Sequence, residues 1–242
     1  MEDMETFNIV NSPFTFSAQA PETLSSPKQT LATIVRDCSG STSRFADELT
    51  KAMNEALGGC RKSSYAGNIL VRTLTFADQV EEIHGFTELG KIPDYKDIQG
   101  CGNTALFDAT YSAISATVTY ADKLRAMDYS VNAVVFIITD GDDNRSVFNA
   151  NTVGDYIKET IQKEHLGSVV TVLIGVNDQE PSLAAYLKDF KETAGLDQYI
   201  SMGEVTPGKL AKLADFVSKS VSSSSQSLAQ GSGQAQASQL TF

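Results

Sequence analysis

Four runs rich in apolar and β-branched residues divide the chain, at residues 30–35, 68–76, 132–139 and 168–176. None of them alternates strictly between apolar and polar positions, as a strand with one solvated face does. Continuous runs of this length are typical of strands covered on both faces. The run NAVVFIIT at 132–139 is the most apolar and predicts a central strand.

Helical periodicity fills the segments between these runs. Residues 43–57 place a large apolar side chain at every fourth position, and Gly58 and Gly59 predict the end of that helix. Further helices are predicted at 104–124, 153–164, 181–194 and 206–221, and short strands at 79–86 and 198–202. Strands that alternate with helices predict an α/β fold with a doubly wound, mainly parallel central sheet flanked by helices.

The two ends of the chain differ in composition from its middle. Residues 1–28 contain three prolines and predict an irregular segment, in which FTFSA at 14–18 could form an edge strand. Residues 222–242 are rich in Ser, Gln and Gly and predict a flexible tail. One folded domain is therefore expected over residues 29–221.

Charge and composition narrow the class of partner. The 242 residues carry a formal net charge of −11, which argues against nucleic acid as the main partner because phosphate backbones attract Lys- and Arg-rich surfaces. An acidic balance suits hard cations, although it also simply keeps proteins soluble. No run approaches the roughly 18 apolar residues of a membrane span. Three cysteines without a CxxC, and an acidic N-terminus unlike a secretory signal, predict a cytoplasmic protein.

Polar side chains gather where three predicted elements meet loops. Asp37, Ser39 and Ser41 follow the first buried strand, and the alternate positions of these residues allow their side chains to point the same way. Thr104 follows a glycine-rich loop, and Asp140 ends the most apolar strand. Each motif has a purely structural alternative, namely a helix cap for the hydroxyls and a turn for Asp140.

Taken together, these motifs predict a cation site. Loops at the carboxyl ends of parallel strands share one edge of a sheet, where ligands bind in α/β folds. Two carboxylates and three hydroxyls provide the hard oxygen ligands that Mg²⁺ prefers, and Mn²⁺ is an alternative ion. The candidate metal ligands are Asp37, Ser39, Ser41, Thr104 and Asp140.

The same residues resemble the von Willebrand factor A (vWA) domain family. The metal-ion-dependent adhesion site of that family is D-x-S-x-S, then a separate Thr, then an Asp usually followed by Gly. The chain has DCSGS at 37–41, Thr104 in GNTALFDA and Asp140 in ITDG, in that order, and LTFADQV at 74–80 also looks like the family's second-strand ending. The resemblance spans residues 28–220.

The resemblance implies roles for these residues. Ser39, Ser41 and Thr104 would contact Mg²⁺ directly, whereas Asp37 and Asp140 would act mostly through bound waters. The remaining coordination position would accept an Asp or Glu side chain of a partner protein, because a largely neutral ligand shell leaves the ion electrophilic. The implied function is a noncatalytic protein-binding module.

Several neighbours of the motif leave alternatives open. Arg36 stands where the family usually has an apolar residue, and strand alternation predicts that it points away from Asp37 and pairs with an acidic neighbour. Asp142 and Asp143 are either solvated loop charges, the favoured interpretation, or contacts to the site or the partner. Cys38 is expected to be a small buried group.

Two other functions remain alternatives. The chain could be an accessory or scaffold subunit of a larger intracellular, bacterial or phage assembly. It could also be a Mg²⁺-dependent phosphatase of the haloacid dehalogenase type, but that chemistry needs D-x-D and residue 39 is Ser. The sequence does not indicate the oligomeric state, the partner or the pathway.

Overall fold

A computed structural model describes residues 4–9, 12–96, 98–162 and 169–231, with the side chains of 161–162 left out. An eight-stranded sheet runs through the molecule in the order β1-β2-β5-β4-β3-β6-β7-β8. The strands are β1 (Met4–Asn8), β2 (Thr15–Gln19), β3 (Lys28–Asp37), β4 (Ile69–Phe76), β5 (Val80–Glu88), β6 (Ser130–Thr139), β7 (Val169–Gly175) and β8 (Gln198–Ser201).

Five strands, in the order β4-β3-β6-β7-β8, are parallel, and β5 pairs antiparallel with β4. The helices are α1 (Ala46–Arg61), α2 (Leu106–Arg125), α3 (Ala150–Gln162), α4 (Pro181–Ala194) and α5 (Pro207–Ala229). Helices α1 and α5 pack on one face of the sheet, whereas α2, α3 and α4 pack on the other. The predicted α/β fold with a doubly wound, mainly parallel sheet is thus confirmed.

The N-terminal segment is more regular than its prolines predict. The expected strand at 14–18 is present as β2, but it is not an edge strand, because β1 pairs antiparallel with it on the outside. Glu82 fastens this hairpin to the sheet: its carboxylate accepts hydrogen bonds from Ser17 N (2.9 Å) and Arg72 Nε (2.7 Å). These partly buried contacts join residues 10 and 65 positions apart in sequence and therefore leave no local pattern.

Two helices continue past their predicted ends. Helix α1 runs through Gly58 and Gly59 to Arg61. A Cβ on Gly59 would stand 2.7 Å from the Ser218 Cβ of α5, so a glycine is needed where the two helices pack closely. Glycine here serves close helix packing and does not end the helix. The prediction of a flexible tail from residue 222 is wrong as far as Ala229, where α5 ends. Small serines and Leu228 are buried along this last stretch, and residues 232–242 lie outside the described residues.

None of the helices in the described ranges combines the length and the apolar character needed to cross a membrane.

Candidate metal centre

The first motif forms a compact loop at the carboxyl end of β3. Asp37 is buried, and its Oδ1 accepts a hydrogen bond from Ser39 N at 2.7 Å. The hydroxyl oxygens of Ser39 and Ser41 lie 3.1 Å apart. A 3-10 turn at Gly40–Phe45 separates this loop from α1, and neither the turn nor α1 has a side-chain N-cap. The hydroxyls of Ser39 and Ser41 therefore do not serve as simple helix caps.

The end of β6 lies directly beside this loop, because β6 is the parallel neighbour of β3. Ser41 Oγ donates a hydrogen bond to Asp140 Oδ1 at 2.6 Å. Thr139 Oγ1, one residue earlier, donates to Asp37 Oδ2 at 2.6 Å. Four of the five candidate ligands, Asp37, Ser39, Ser41 and Asp140, thus belong to one cluster of direct contacts.

Thr104 reaches the same place from the loop before α2. The Thr104 Oγ1 lies 3.5 Å from the position that a Cβ on Gly141 would occupy, next to Asp140. The backbone before it also contacts the first motif, since Gly40 N donates to Gly102 O at 3.1 Å. The structure therefore brings all five predicted residues to one edge of the sheet.

Burial shapes the charges of the two aspartates. Burial raises the pKa of Asp37, and hydrogen bonds from Ser39 and Thr139 offset part of that effect. Burial also raises the pKa of Asp140 to about 6, with opposing contributions from the Ser41 hydrogen bond and the Arg44 cation and a further increase from Asp37. Two neighbouring buried carboxylates are costly without a cation to neutralise them.

The donor set fits a hard divalent cation. Asp140 Oδ2 is buried and has no hydrogen-bond partner among the described residues, so one carboxylate oxygen is left to take a cation or a water. The other candidate donors are carboxylate and hydroxyl oxygens, as Mg²⁺ prefers. In the described ranges, no group of three or more His, Cys, Asp or Glu side chains is arranged to hold a metal ion. The candidate centre differs from such groups because three of its five candidate ligands are the hydroxyl residues Ser39, Ser41 and Thr104.

Three residues that position the candidate ligands did not emerge from the sequence. Asn144 holds Thr104 in place, because Asn144 Oδ1 accepts from Thr104 N (2.8 Å) and Asn144 N donates to Thr104 O (3.1 Å). Thr139 orients Asp37 as described above. Asp78, in the loop after β4, accepts from Asn103 Nδ2 at 2.7 Å. The resemblance of LTFADQV to the family's strand ending was the one sequence signal near Asp78.

The two acidic residues after Gly141 have different environments. Asp142 is exposed, as the favoured interpretation of a solvated charge expects. Asp143 differs from that interpretation, because its Oδ2 accepts from Phe107 N at 3.0 Å and from Ser146 Oγ at 2.5 Å. Asp143 therefore ties the loop after β6 to the start of α2, close behind Thr104.

Arg36 points away from Asp37, as strand alternation predicts. The ion pair expected with an acidic neighbour is not found among the described residues. Its buried guanidinium instead donates to Thr50 Oγ1 (2.6 Å) and to the carbonyl oxygens of Ala46 (2.8 Å) and Ile98 (3.0 Å). Arg36 thus joins β3 to the first turns of α1 and to the loop that leads to Thr104.

Comparison with known proteins supports the fold and no more. No protein-family model matches the chain, and a search of curated proteins finds no match. Among solved structures, the D319A mutant of the PilB minor pilin from Streptococcus sanguinis is similar, with a TM-score of 0.57 and 13% identity over 88% of this chain and 66% of that one.

The pilus adhesin SpaC from Lactobacillus rhamnosus GG, in its open conformation, has a TM-score of 0.56 and 10% identity, covering 90% of this chain and 33% of that one. The ArnB paralog VWA2 from Sulfolobus acidocaldarius has a TM-score of 0.48 and 14% identity, covering 90% and 54%, which is too weak to support a conclusion. The chain thus spans about two thirds of PilB and one third of SpaC. At these identities the similarity shows a shared fold alone.

Proposed function

We propose that the chain is a noncatalytic, Mg²⁺-dependent protein-binding module of the vWA type, which captures an acidic side chain of a partner protein. The observation that carries this proposal is the convergence of Asp37, Ser39, Ser41, Thr104 and Asp140 at one sheet edge, with one buried carboxylate oxygen unpartnered among the described residues. A cluster built mainly to cap helices or close turns has no need of that oxygen.

The chain's own residues divide the work at this centre. Both oxygens of Asp37 already accept hydrogen bonds, from Ser39 N and Thr139 Oγ1, so Asp37 is fixed in orientation. Asp140 keeps Oδ2 available, and the hydroxyl oxygens of Ser39 and Ser41 lie together in the adjoining loop, 3.1 Å apart. A bound Mg²⁺, or Mn²⁺, would supply a Lewis-acidic position for a partner's carboxylate.

A phosphatase is a weaker alternative. The residue two positions after Asp37 would have to donate a proton to a leaving group, and Ser39 is a buried hydroxyl whose described side-chain contact is another hydroxyl, that of Ser41. A role as an accessory or scaffold subunit therefore remains the second candidate.

The proposed partner is a protein that presents Asp or Glu, with neither nucleic acid nor membrane required. The acidic net charge of −11 argues against nucleic acid as the partner, because it would repel the phosphate backbone. We also propose a cytoplasmic location, because all three cysteines are free.

Calorimetric titration with MgCl₂ and MnCl₂ tests the proposed centre directly. We expect one binding event per chain that disappears in Asp140→Asn and in Ser41→Ala. Asp142→Asn is the matched control, because Asp142 is an exposed carboxylate on the same loop, and this variant should bind the ion with nearly unchanged affinity. Binding that persists in both site variants contradicts the proposal.

A further inference from the structure

A groove lies to one side of the candidate metal centre, between the start of α1, the β7–α4 loop and the β8–α5 loop. It has a volume of about 290 Å³, and we call it the side groove. Its lining includes Arg44, Phe45, Glu48, Glu204, Val205 and Leu210. Pockets for drug-sized ligands usually begin at about 300 Å³, so the side groove is better matched to one or two side chains of a peptide.

The side groove lies close to the candidate metal centre. Arg44 follows the first motif by three residues, and its positive charge acts on the Asp140 carboxylate. On the opposite wall, Val176 N donates a hydrogen bond to Thr139 O at 2.8 Å, which places the next residue, Asn177, beside the end of β6. Asn177 also lines the groove. Residues on both walls of the side groove thus lie near Asp140.

The lining of the groove combines apolar and charged side chains. The floor is apolar, since Phe45 and Leu210 are buried there and Val205 is half-buried. Near the metal centre stands Arg44, which is exposed and makes no ion pair with a described carboxylate; its guanidinium lies 5.7 Å from the Phe45 ring centroid. Glu48 and Glu204 are exposed and give the groove an acidic rim.

We propose that the side groove binds the residues that flank the partner's metal-bound carboxylate, an inference that rests on the proposed function. The partner would be an extended segment with an Asp or Glu at the metal, an apolar side chain on the floor, and a basic residue opposite Glu48 and Glu204. The charges of the lining complement such a segment, because Arg44 and the cation attract the acidic residue and the two glutamates attract the basic one.

Selection from a displayed random peptide library tests this specificity. The full chain is immobilised in MgCl₂, and bound peptides are released with a chelator. We expect enrichment of an acidic residue, followed at one fixed spacing by an apolar residue and then by Lys or Arg. Replacing the apolar residue of a selected peptide by Ala should weaken binding on the order of tenfold, as expected for a buried aliphatic side chain.

A charge reversal separates the groove from the metal centre. In Glu48→Lys/Glu204→Lys, we expect the basic position of the selected peptides to become acidic, while dependence on Mg²⁺ is unchanged. A peptide selected on the unmodified chain should bind this variant about two- to fivefold more weakly for each lost ion pair. Glu159→Lys/Glu192→Lys is the matched control, because it changes the net charge equally on α3 and α4, which cover the other face of the sheet.

The outcomes are distinct. Peptides that share an acidic residue but show no apolar or basic preference overturn the groove inference and leave the proposed function standing. The groove inference also fails, and the proposed function stands, if Glu48→Lys/Glu204→Lys changes peptide affinity no more than Glu159→Lys/Glu192→Lys does. If no peptide is retained in a Mg²⁺-dependent manner although the titration shows the ion bound, both proposals fail.

Discussion

Asp140→Asn should stabilise the metal-free protein while abolishing its response to Mg²⁺. The substitution keeps the shape of the side chain and removes a buried negative charge. The carboxamide oxygen of this variant can still accept the hydrogen bond from Ser41, so the neighbouring loop keeps its anchor. Opposite effects on stability and on metal binding are the signature of a residue retained for a ligand.

The magnitude follows from the ionisation of Asp140. Burial raises its pKa to about 6 from the ordinary value of 3.8, which corresponds to roughly 3 kcal/mol of unfavourable free energy when the group is ionised. The new amide N–H has no described acceptor and costs about 1–2 kcal/mol of that gain. The expected net stabilisation is therefore about 1–2 kcal/mol at pH 7.

The sign of the pH dependence is fixed by the direction of the pKa change. The folded protein binds this proton more tightly than the unfolded chain, so the stabilising effect of protonation is complete below about pH 4. It is lost as the pH rises through about 6. The advantage of Asp140→Asn should therefore be largest above about pH 6 and absent below about pH 4.

Urea unfolding in chelator and in MgCl₂ measures both effects. At about 100 times its dissociation constant, Mg²⁺ should add about 2.7 kcal/mol to the unfolding free energy of the unmodified protein and nothing to that of Asp140→Asn. Asp142→Asn should match the unmodified protein in both solutions. A metal-free Asp140→Asn that is less stable than the unmodified protein at pH 7, or one that still responds to Mg²⁺, refutes the reasoning.

Three further predictions concern other parts of the fold. In the native protein only Cys101 should react rapidly with a thiol reagent, because the other two cysteines are buried with pKa values of about 11 and about 12; three reactive thiols without denaturant would contradict the burial. Glu82→Ala should lower the unfolding free energy by about 3–5 kcal/mol, since it leaves the buried Arg72 cation unpaired; a urea midpoint unchanged from the parent protein would disprove this. Burial lowers the pKa of His84, so stability should fall as the pH drops below about 6.5, and the urea midpoint of His84→Gln should lose this slope.

The layers of the fold could be predicted from the sequence because its central strands are marked by long, mainly apolar runs. Strands β3, β6 and β7 are covered on both faces, so their apolar runs identify them without any knowledge of their neighbours. The boundaries that were wrong depend on contacts distant in sequence. Gly59 lies inside α1 where the helix packs closely against Ser218, and Ser224 and Ser225 of α5 are buried by parts of the chain distant in sequence. A single sequence does not show such pairs.

The candidate site was predictable to a similar depth. Residue types and strand ends indicated Asp37 and Asp140, since the topology of a parallel sheet places such ends side by side. The contacts that orient them were not indicated, because Thr139 and Asn144 are common residue types whose partners lie about 100 and 40 positions away. Arg36 shows the same limit: its direction followed from strand alternation, but its neutral acceptors did not.

Buried charge alone would not single out this edge of the sheet, because the protein also buries Arg36 and Arg72. These two differ from Asp140 in how their charge is met. Arg72 has the Glu82 carboxylate at 2.7 Å. Arg36 donates to three oxygens through its two terminal nitrogens, although its Nε has no partner among the described residues. Asp140 lies beside a second buried carboxylate, and its Oδ2 is the one carboxylate oxygen among the buried described atoms that lack a partner. The unpartnered Oδ2 of Asp140, beside a second buried carboxylate, is therefore the feature of this sheet edge that favours the proposed cation site over a purely structural cluster.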